Sequence, residues 1–432
     1  MILIVILSVL PLIFLFGASR RAETVSVAHP LQIMGWVFLL GFSLKSLYLA
    51  YAIDAGLPFK TKYLTEEFIY LGQLIVLVGV VSMIAGYFFL NKKRSFKATK
   101  VKHLGVLAGP VYWFIFILSL IGVVLFFFTR DFHLELLSLQ FTGKKFYVSE
   151  GTGVRSALGF LLIGADLLVV YFLYYLVFSR KVKISSVYVL VALFVALNFF
   201  MASQRMGVII IAIGAILVAK DSLFDISNAK VRKRILVIGI TFSLLSVASI
   251  IRDSRSEVSA SDLSIVGGVE ATLGHVFQGL YAVDPEKVTG IALNNDEYFY
   301  GRTFLMFMVA PIPRVLWPDK PNVRLGPYVA QDILRLNTQS GAPPSAIGEF
   351  YINFGWAGVV FGMFICGVIL SLLQKRVAYF GSSDLARIRY ALGIMVMIYF
   401  MIGDFSYAVL FLFKYGLASY VCQSYWVKKS VR

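Results

Sequence analysis

Charge is the scarcest resource in this chain: Asp, Glu, Lys and Arg together make up 15% of 432 residues, against 59% hydrophobic residues. A soluble domain covers itself with about 25% charged residues, so bulk water is excluded as the main environment. Cysteine is nearly absent. Cys366 and Cys422 both lie inside apolar runs, which excludes a disulfide framework and leaves no cysteine metal site. The four histidines (His29, His103, His133, His275) are scattered without ligand-like spacing, so neither a bound metal nor another cofactor is expected. No phosphate loop, GxSxG or HExxH occurs, which removes the hydrolase and nucleotide-binding classes those motifs mark. No repeat relates the two halves, a point against transporters built from internal repeats.

What the chain has instead is long apolar runs. A helix needs about 20 apolar residues to cross the hydrocarbon core. Runs that meet or approach this length fall near 1–18, 31–53, 68–90, 104–128, 156–178, 186–202, 206–219, 235–251, 352–373, 388–403 and 405–426. The expected fold class is therefore all-α: a polytopic transmembrane helical bundle of about eleven spans, with residues 1–432 as one integral membrane domain. The runs near 206–219 and 388–403 are short, as tilted or re-entrant segments are. The opening MILIVILSVLPLIFLFG lacks a basic n-region and a small-residue cleavage site, and Arg20 and Arg21 follow it. That order reads as an uncleaved first span with its N-terminus outside.

The net charge of +17 lies in dense clusters within short alternate loops: Arg20–Arg21, Lys92–Lys102, Arg180–Lys183, Lys220–Arg234, Lys375–Arg389 and Lys428–Arg432. The opposite loops are sparse, holding Lys60, Lys62 and Arg205 in their short members. By the positive-inside rule the dense set is cytoplasmic, giving N-out and C-in in a cytoplasmic (inner) membrane. Clusters of this kind serve orientation and lipid headgroups and form no stripe for nucleic acid. Two outer loops exceed what a connection requires. Residues 129–155 contain the amphipathic FHLELLSLQF, suited to the interface. Residues 252–351 form the larger one, between the eighth and ninth spans, and seven of the twelve prolines fall from Pro311 to Pro344. Proline at that density forbids a long helix or central strand, so a shaped loop is expected.

Several charges call for an explanation. Arg205 stands at the outer end of the sixth span, either snorkelling to the headgroups or aimed into an outward cavity to bind phosphate bidentately. Arg252, Asp253 and Arg255 cluster where the eighth span ends, as an ion-pair group or part of a site. Within GRTFLMFMVAPIPRVLWPDKPNVRLG, prolines stiffen a backbone carrying Arg314, Trp317, Asp319, Lys320 and Arg324. Fixed cations hold a pyrophosphate while an indole stacks on a sugar; the plainer alternative is a tryptophan anchor in a re-entrant turn. In GAPPSAIGEFYINFGWAG, Pro343 and Pro344 suit a helix start and place Glu349 in its first turns, as a helix-dipole partner or a general base. Asp166 and Lys45 are buried ionisable groups, functional candidates by default or paired inside the bundle, and Lys414 faces a packed interior.

PIPRVLWPDKP followed by PPSAIGEFYINFGWAG resembles the oligosaccharide repeat-unit polymerases, the O-antigen polymerase group, and SQRMGVIIIAIGAIL is similar to that family's arginine at the outer end of a central span. The apolar layout and the late outer loop agree over essentially the whole chain. The resemblance implies a GT-C-like glycosyltransferase at the outer face. Such an enzyme transfers a glycan from undecaprenyl pyrophosphate onto a new lipid-linked repeat unit, beside membrane lipids, a flippase and a chain-length regulator. It further implies that Arg205, Arg252, Arg314, Trp317, Lys320 and Arg324 bind pyrophosphate or sugar. Glu349, His275 and Asp253 are then the candidates for the base. The O-antigen ligases and the lipid-glycan flippases or exporters are the alternatives.

Overall fold

The computed structural model describes residues 2–21, 29–54, 66–90, 284–295, 297–309, 312, 316–317, 325–335, 342–379 and 384–431, with single positions at 113, 114, 117, 121, 170, 171, 173 and 174. The apolar runs from 104 to 251 and the FHLELLSLQF segment lie almost wholly outside them. The chain divides into two compact units, Met1–Lys102 with Leu280–Leu417, and His103–Gly279 with Ala418–Arg432. In the second, the hydroxyls of Tyr174 and Ser419 pair at 2.9 Å. The helices named next belong to the first unit, except the C-terminal turns of the last from Ala418 on.

Among the described residues every regular element is helical, and six stretches are long and apolar enough to cross a membrane. Helix α1 (Ile2–Arg21) carries Pro11 in its interior. Helices α2 (Pro30–Phe38) and α3 (Leu44–Asp54) are joined through a π-helical stretch, Leu39–Ser43. Helix α4 is Glu66–Phe89. The N-terminal end of α1, the last turns of α3 and the start of α4 meet in one apolar cluster of Ile4, Leu49, Ala50 and Ile69. Below it a buried polar knot ties the same three helices: Ser8 Oγ donates to Ser46 Oγ at 2.7 Å, and Gln73 Nε2 donates to Ser8 Oγ and to the Ile4 carbonyl, both at 3.2 Å. Lipid tails are as apolar as leucine, so hydrophobicity alone does not hold such helices together; close packing and interhelical hydrogen bonds do.

Close packing is written into α4 at heptad spacing. Gly72, Gly79 and Gly86 fall on one face, and each admits a different neighbour. A Cβ on Gly72 would run into the Pro285 carbonyl and Thr289 of helix α5 (Pro285–Asn294). One on Gly79 would meet Ile347 and Met363, and one on Gly86 the backbone of Phe364. The last three residues belong to helix α8 (Ser345–Tyr379), whose own Gly367 fits against the Met83 carbonyl in return. Between α5 and α8 lie α6 (Arg302–Val309) and the short α7 (Leu325–Tyr328), the latter continued by a π turn, Val329–Ile333. No described helix in that proline-rich stretch is long.

Helix α8 is not one rod. Phe354 (φ −143°) and Gly355 (φ +59°) leave the helical region. A Cβ on Gly358 would strike the carbonyl of Phe350, and one on Gly362 the Phe350 ring. Residues so far apart along one helix cannot touch at a rise of about 1.5 Å each, so the chain reverses at Phe354–Gly355. A short arm, Ser345–Asn353, thus lies back along the long arm from Trp356 to Tyr379, which explains why Ile347 and Met363 share Gly79. The long arm, on the order of 36 Å, suffices alone to span a bilayer.

The rest follows by alternation. Helix α9 (Asp384–Ile402) returns antiparallel, Gly393 facing Leu373, and α10 (Phe405–Val431) leaves again. At one end of the unit lie the reversal and the α9–α10 junction. At the other Lys375 Nζ donates to the Leu90 carbonyl, His29 pairs with the Tyr87 hydroxyl at 3.0 Å, and Arg20, Arg21, Arg387 and Arg389 gather.

Candidate functional site

The short arm of α8 is held at the reversal by the turn before α6. Its last carbonyls, on Ile352 and Asn353, accept the N–H groups of Phe299 and Tyr300, both at 3.1 Å, partners outside the helix of the kind that helix ends require. The Asn353 side chain completes the join, its Oδ1 accepting Gly301 N–H at 2.9 Å. Tyr300 (φ +46°) and Gly301 (φ +85°) both take left-handed backbone there, a strained conformation for tyrosine.

Glu349 stands one turn before Asn353, so the two share a face. The Glu349 side chain is fully buried. Its Oε1 accepts the Thr303 hydroxyl at 2.8 Å, and its Oε2 accepts the backbone N–H of Phe405, first residue of α10, at 2.6 Å. Asn353 Nδ2 donates to Thr303 Oγ1 at 2.6 Å and to the Glu349 carbonyl at 2.8 Å, and Ser406 Oγ donates to the Thr303 carbonyl at 3.3 Å. Asp404 caps α10 through Tyr407 N–H at 2.8 Å. Phe304, Phe350, Phe400 and Phe405 enclose the knot with ring centroids 5.2–5.7 Å apart. One carboxylate thereby joins α6, the short arm of α8 and the start of α10.

A second charged cluster fixes α5. Asp284 caps that helix by accepting Glu286 N–H at 3.0 Å, and its carboxylate pairs with buried Lys45 of α3, which also reaches Glu286 at 3.3 Å. Lys287 Nζ donates to the Pro343 carbonyl at 3.1 Å, just ahead of α8. Burial alone would raise the Asp284 pKa, but Lys45 and then Lys287 hold it below the usual carboxylate range. Burial pushes Lys287 down to about 8, against the pull of Asp284. Lys45 is therefore paired inside the bundle. Lys414 lies over the Phe411 ring at 5.0 Å.

Of the candidate pyrophosphate-binding, sugar-binding and base residues, Glu349 and Trp317 are described. Trp317 is partly exposed beside a well-exposed Leu316. A span entering at Ser345 would put Glu349 at its outer end in the first turns; the reversal instead makes Ser345 the deep end of the short arm, and Glu349 lies between. Arg205, Arg252, Asp253, His275, Arg314, Lys320 and Arg324 lie outside the described residues, as do Asp166 and Asp319. Thr303, Asn353 and the Phe405 N–H were not singled out. The Glu349–Asn353 spacing, one helical turn within GEFYINFG, was the available signal.

A profile of the O-antigen polysaccharide polymerase Wzy matches residues 1–429. The chain belongs to the O-antigen polysaccharide polymerase family. With its apolar helices that makes it a multi-pass membrane protein of O-antigen polysaccharide synthesis. No curated protein and no solved structure matches the chain, so a GT-C-like arrangement rests on the resemblance alone. In this polymerase the described knot joins the chain just before residue 304 to the chain just after residue 344.

Proposed function

We propose that this polymerase extends surface polysaccharide at the outer face of the cytoplasmic membrane by glycosyl transfer from an undecaprenyl-pyrophosphate-linked glycan to a lipid-linked repeat unit. The observation that carries the reading is one of placement. The loop bearing Arg314, Trp317, Lys320 and Arg324 is rooted at the reversal end of the bundle, while Arg20, Arg21, Lys375, Arg387 and Arg389 gather at the other. The positive-inside rule assigns that second end to the cytoplasm.

The chemistry follows from the substrates. An acceptor hydroxyl attacks the anomeric carbon of the donor glycan and gives its proton to a base. The bond from that carbon to the pyrophosphate oxygen breaks, and its electron pair leaves with the pyrophosphate. Guanidinium groups fixed against the developing charge lower the barrier, and removing one such donor typically costs about 10²–10³ in rate. Arg205, Arg252, Arg314, Lys320 and Arg324 fill this role, with Trp317 against a sugar face. His275 and Asp253 are the residues we favour as base, because the Glu349 side chain is fully buried and held by Thr303 and the Phe405 N–H. The test is Arg314→Ala in cells, with protein level measured beside the glycan product. Single repeat units without polymer, at normal protein level, are expected; full-length polymer would overturn the assignment.

A further inference from the structure

We infer that Glu349 is a positioning residue: with Thr303 and Asn353 it clasps the two ends of the cation-bearing loop, and through that loop it sets where the donor pyrophosphate is held. The inference rests on the pyrophosphate reading above for what the loop binds, and on the geometry for the clasp.

Thr303 opens α6, and the chain runs on through Pro311, Pro313, Arg314, Trp317, Lys320 and Arg324 before returning by α7 and Pro343–Pro344 to the short arm. The Thr303–Glu349 bond joins residues 46 apart, so every one of those cations lies inside the loop it closes. Gly301 N–H on Asn353 Oδ1 makes a second closure across 52 residues. Glu349 Oε2 anchors the clasp to α10 through Phe405 N–H, and Ser406 Oγ braces Thr303 from the same helix. Both loop ends are thus bonded to one another and to a spanning helix. Charges that stabilise a leaving group must be held within roughly 0.5 Å of their productive place by a rigid support, and a misplacement of about 1 Å costs on the order of 10² in rate. Tying the two ends to one another and to a spanning helix removes closure freedom that an untied chain of this length would keep. The same geometry argues against a base: the carboxylate is wholly buried, and both its oxygens are already engaged by the clasp, one with Thr303 and one with the Phe405 N–H.

Glutamine separates the two roles. Its oxygen keeps the Phe405 N–H, and its amide donates to Thr303 Oγ1 through a spare lone pair, so the clasp survives while any base is lost. Membranes bearing Glu349→Gln, Glu349→Ala, Thr303→Ser, Thr303→Val or Arg314→Ala would be supplied with lipid-linked repeat unit, and initial rates measured against its concentration and against pH. The clasp requires Glu349→Gln and Thr303→Ser to keep the rate within about threefold and the pH profile of the parent. It requires Glu349→Ala and Thr303→Val to lose about 10–100-fold in kcat/KM, chiefly through a lower kcat. Should Glu349→Ala not accumulate in the membrane, the Thr303 pair carries the comparison. An inactive Glu349→Gln at normal protein level, beside an inactive Arg314→Ala, overturns the clasp alone. A fully active Arg314→Ala overturns the pyrophosphate reading and the clasp's purpose with it.

Discussion

Phe350 lays its ring over Gly362 although both belong to α8, because the helix turns back on itself between them at Phe354–Gly355. The contact needs a residue without a side chain at position 362 and a left-handed φ at 355, and glycine supplies both. Gly362→Leu should therefore force the arms apart and lower the melting temperature of the detergent-solubilised protein, overpacking of this kind costing about 1–3 kcal/mol. Gly17→Leu and Gly416→Leu, with nothing within 4 Å of the added carbon, should melt as the parent does. Equal effects at all three positions would contradict the reversal.

The three α4 glycines are not equivalent. At Gly86 an added Cβ meets the backbone of Phe364, which cannot move aside, whereas at Gly79 it meets side-chain carbons, Ile347 Cδ1 at 3.2 Å and Met363 Cγ at 3.3 Å, which can give. Gly86→Ala should destabilise more than Gly79→Ala, by about 1 kcal/mol or more. Melting curves of the two variants decide the order.

Lys45 and Asp284 form a buried pair joining α3 to the cap of α5. Removing one partner strands a buried charge, so Lys45→Met should cost about 3–5 kcal/mol. Asparagine also caps helices, so the double variant Lys45→Met/Asp284→Asn keeps the cap without the charge and should recover much of the loss. A double variant no more stable than Lys45→Met would contradict the pairing.

Lys287 gives a pH signature. Its folded pKa, near 8, lies below the ordinary lysine value of 10.5, so the unfolded state holds the proton more tightly and this group destabilises the fold at neutral pH. That penalty is relieved as pH rises from about 8 towards 10.5. Stability of the parent relative to Lys287→Met, followed by thermal melts, should therefore rise between pH 7 and pH 9; a flat difference would contradict burial of the ammonium. Asp284 acts at the other extreme. Its depressed pKa adds stability above the ordinary carboxylate value, and that stability is lost as pH falls through the acid range.

The spanning helices were legible because lipid leaves the chain little choice: a run such as 68–90 must be helix, and Glu66–Phe89 is one. The reversal in α8 was not. Hydropathy stays high from Ser345 to Lys375, so nothing in the apolar pattern marks a break, and Gly355 looks like any other glycine until its φ is known. Lys45 stood out as a buried cation, yet its partner lies 239 residues away in a loop, a distance no spacing rule crosses. Glu349 drew attention as a carboxylate beside the proline-rich segment. Its use became visible only with Thr303 and the Phe405 N–H, since a threonine and a backbone amide carry no sequence signal of their own.

Polymerisation is the activity on which every residue role above depends. The most direct measurement is the size ladder of surface glycan from a strain lacking this gene. Single repeat units attached to the lipid acceptor with all longer chains lost is the result expected. Polymer accumulating on the lipid carrier with nothing attached to the acceptor would make this a ligase instead, and repeat units trapped at the cytoplasmic face a flippase; either would contradict the account.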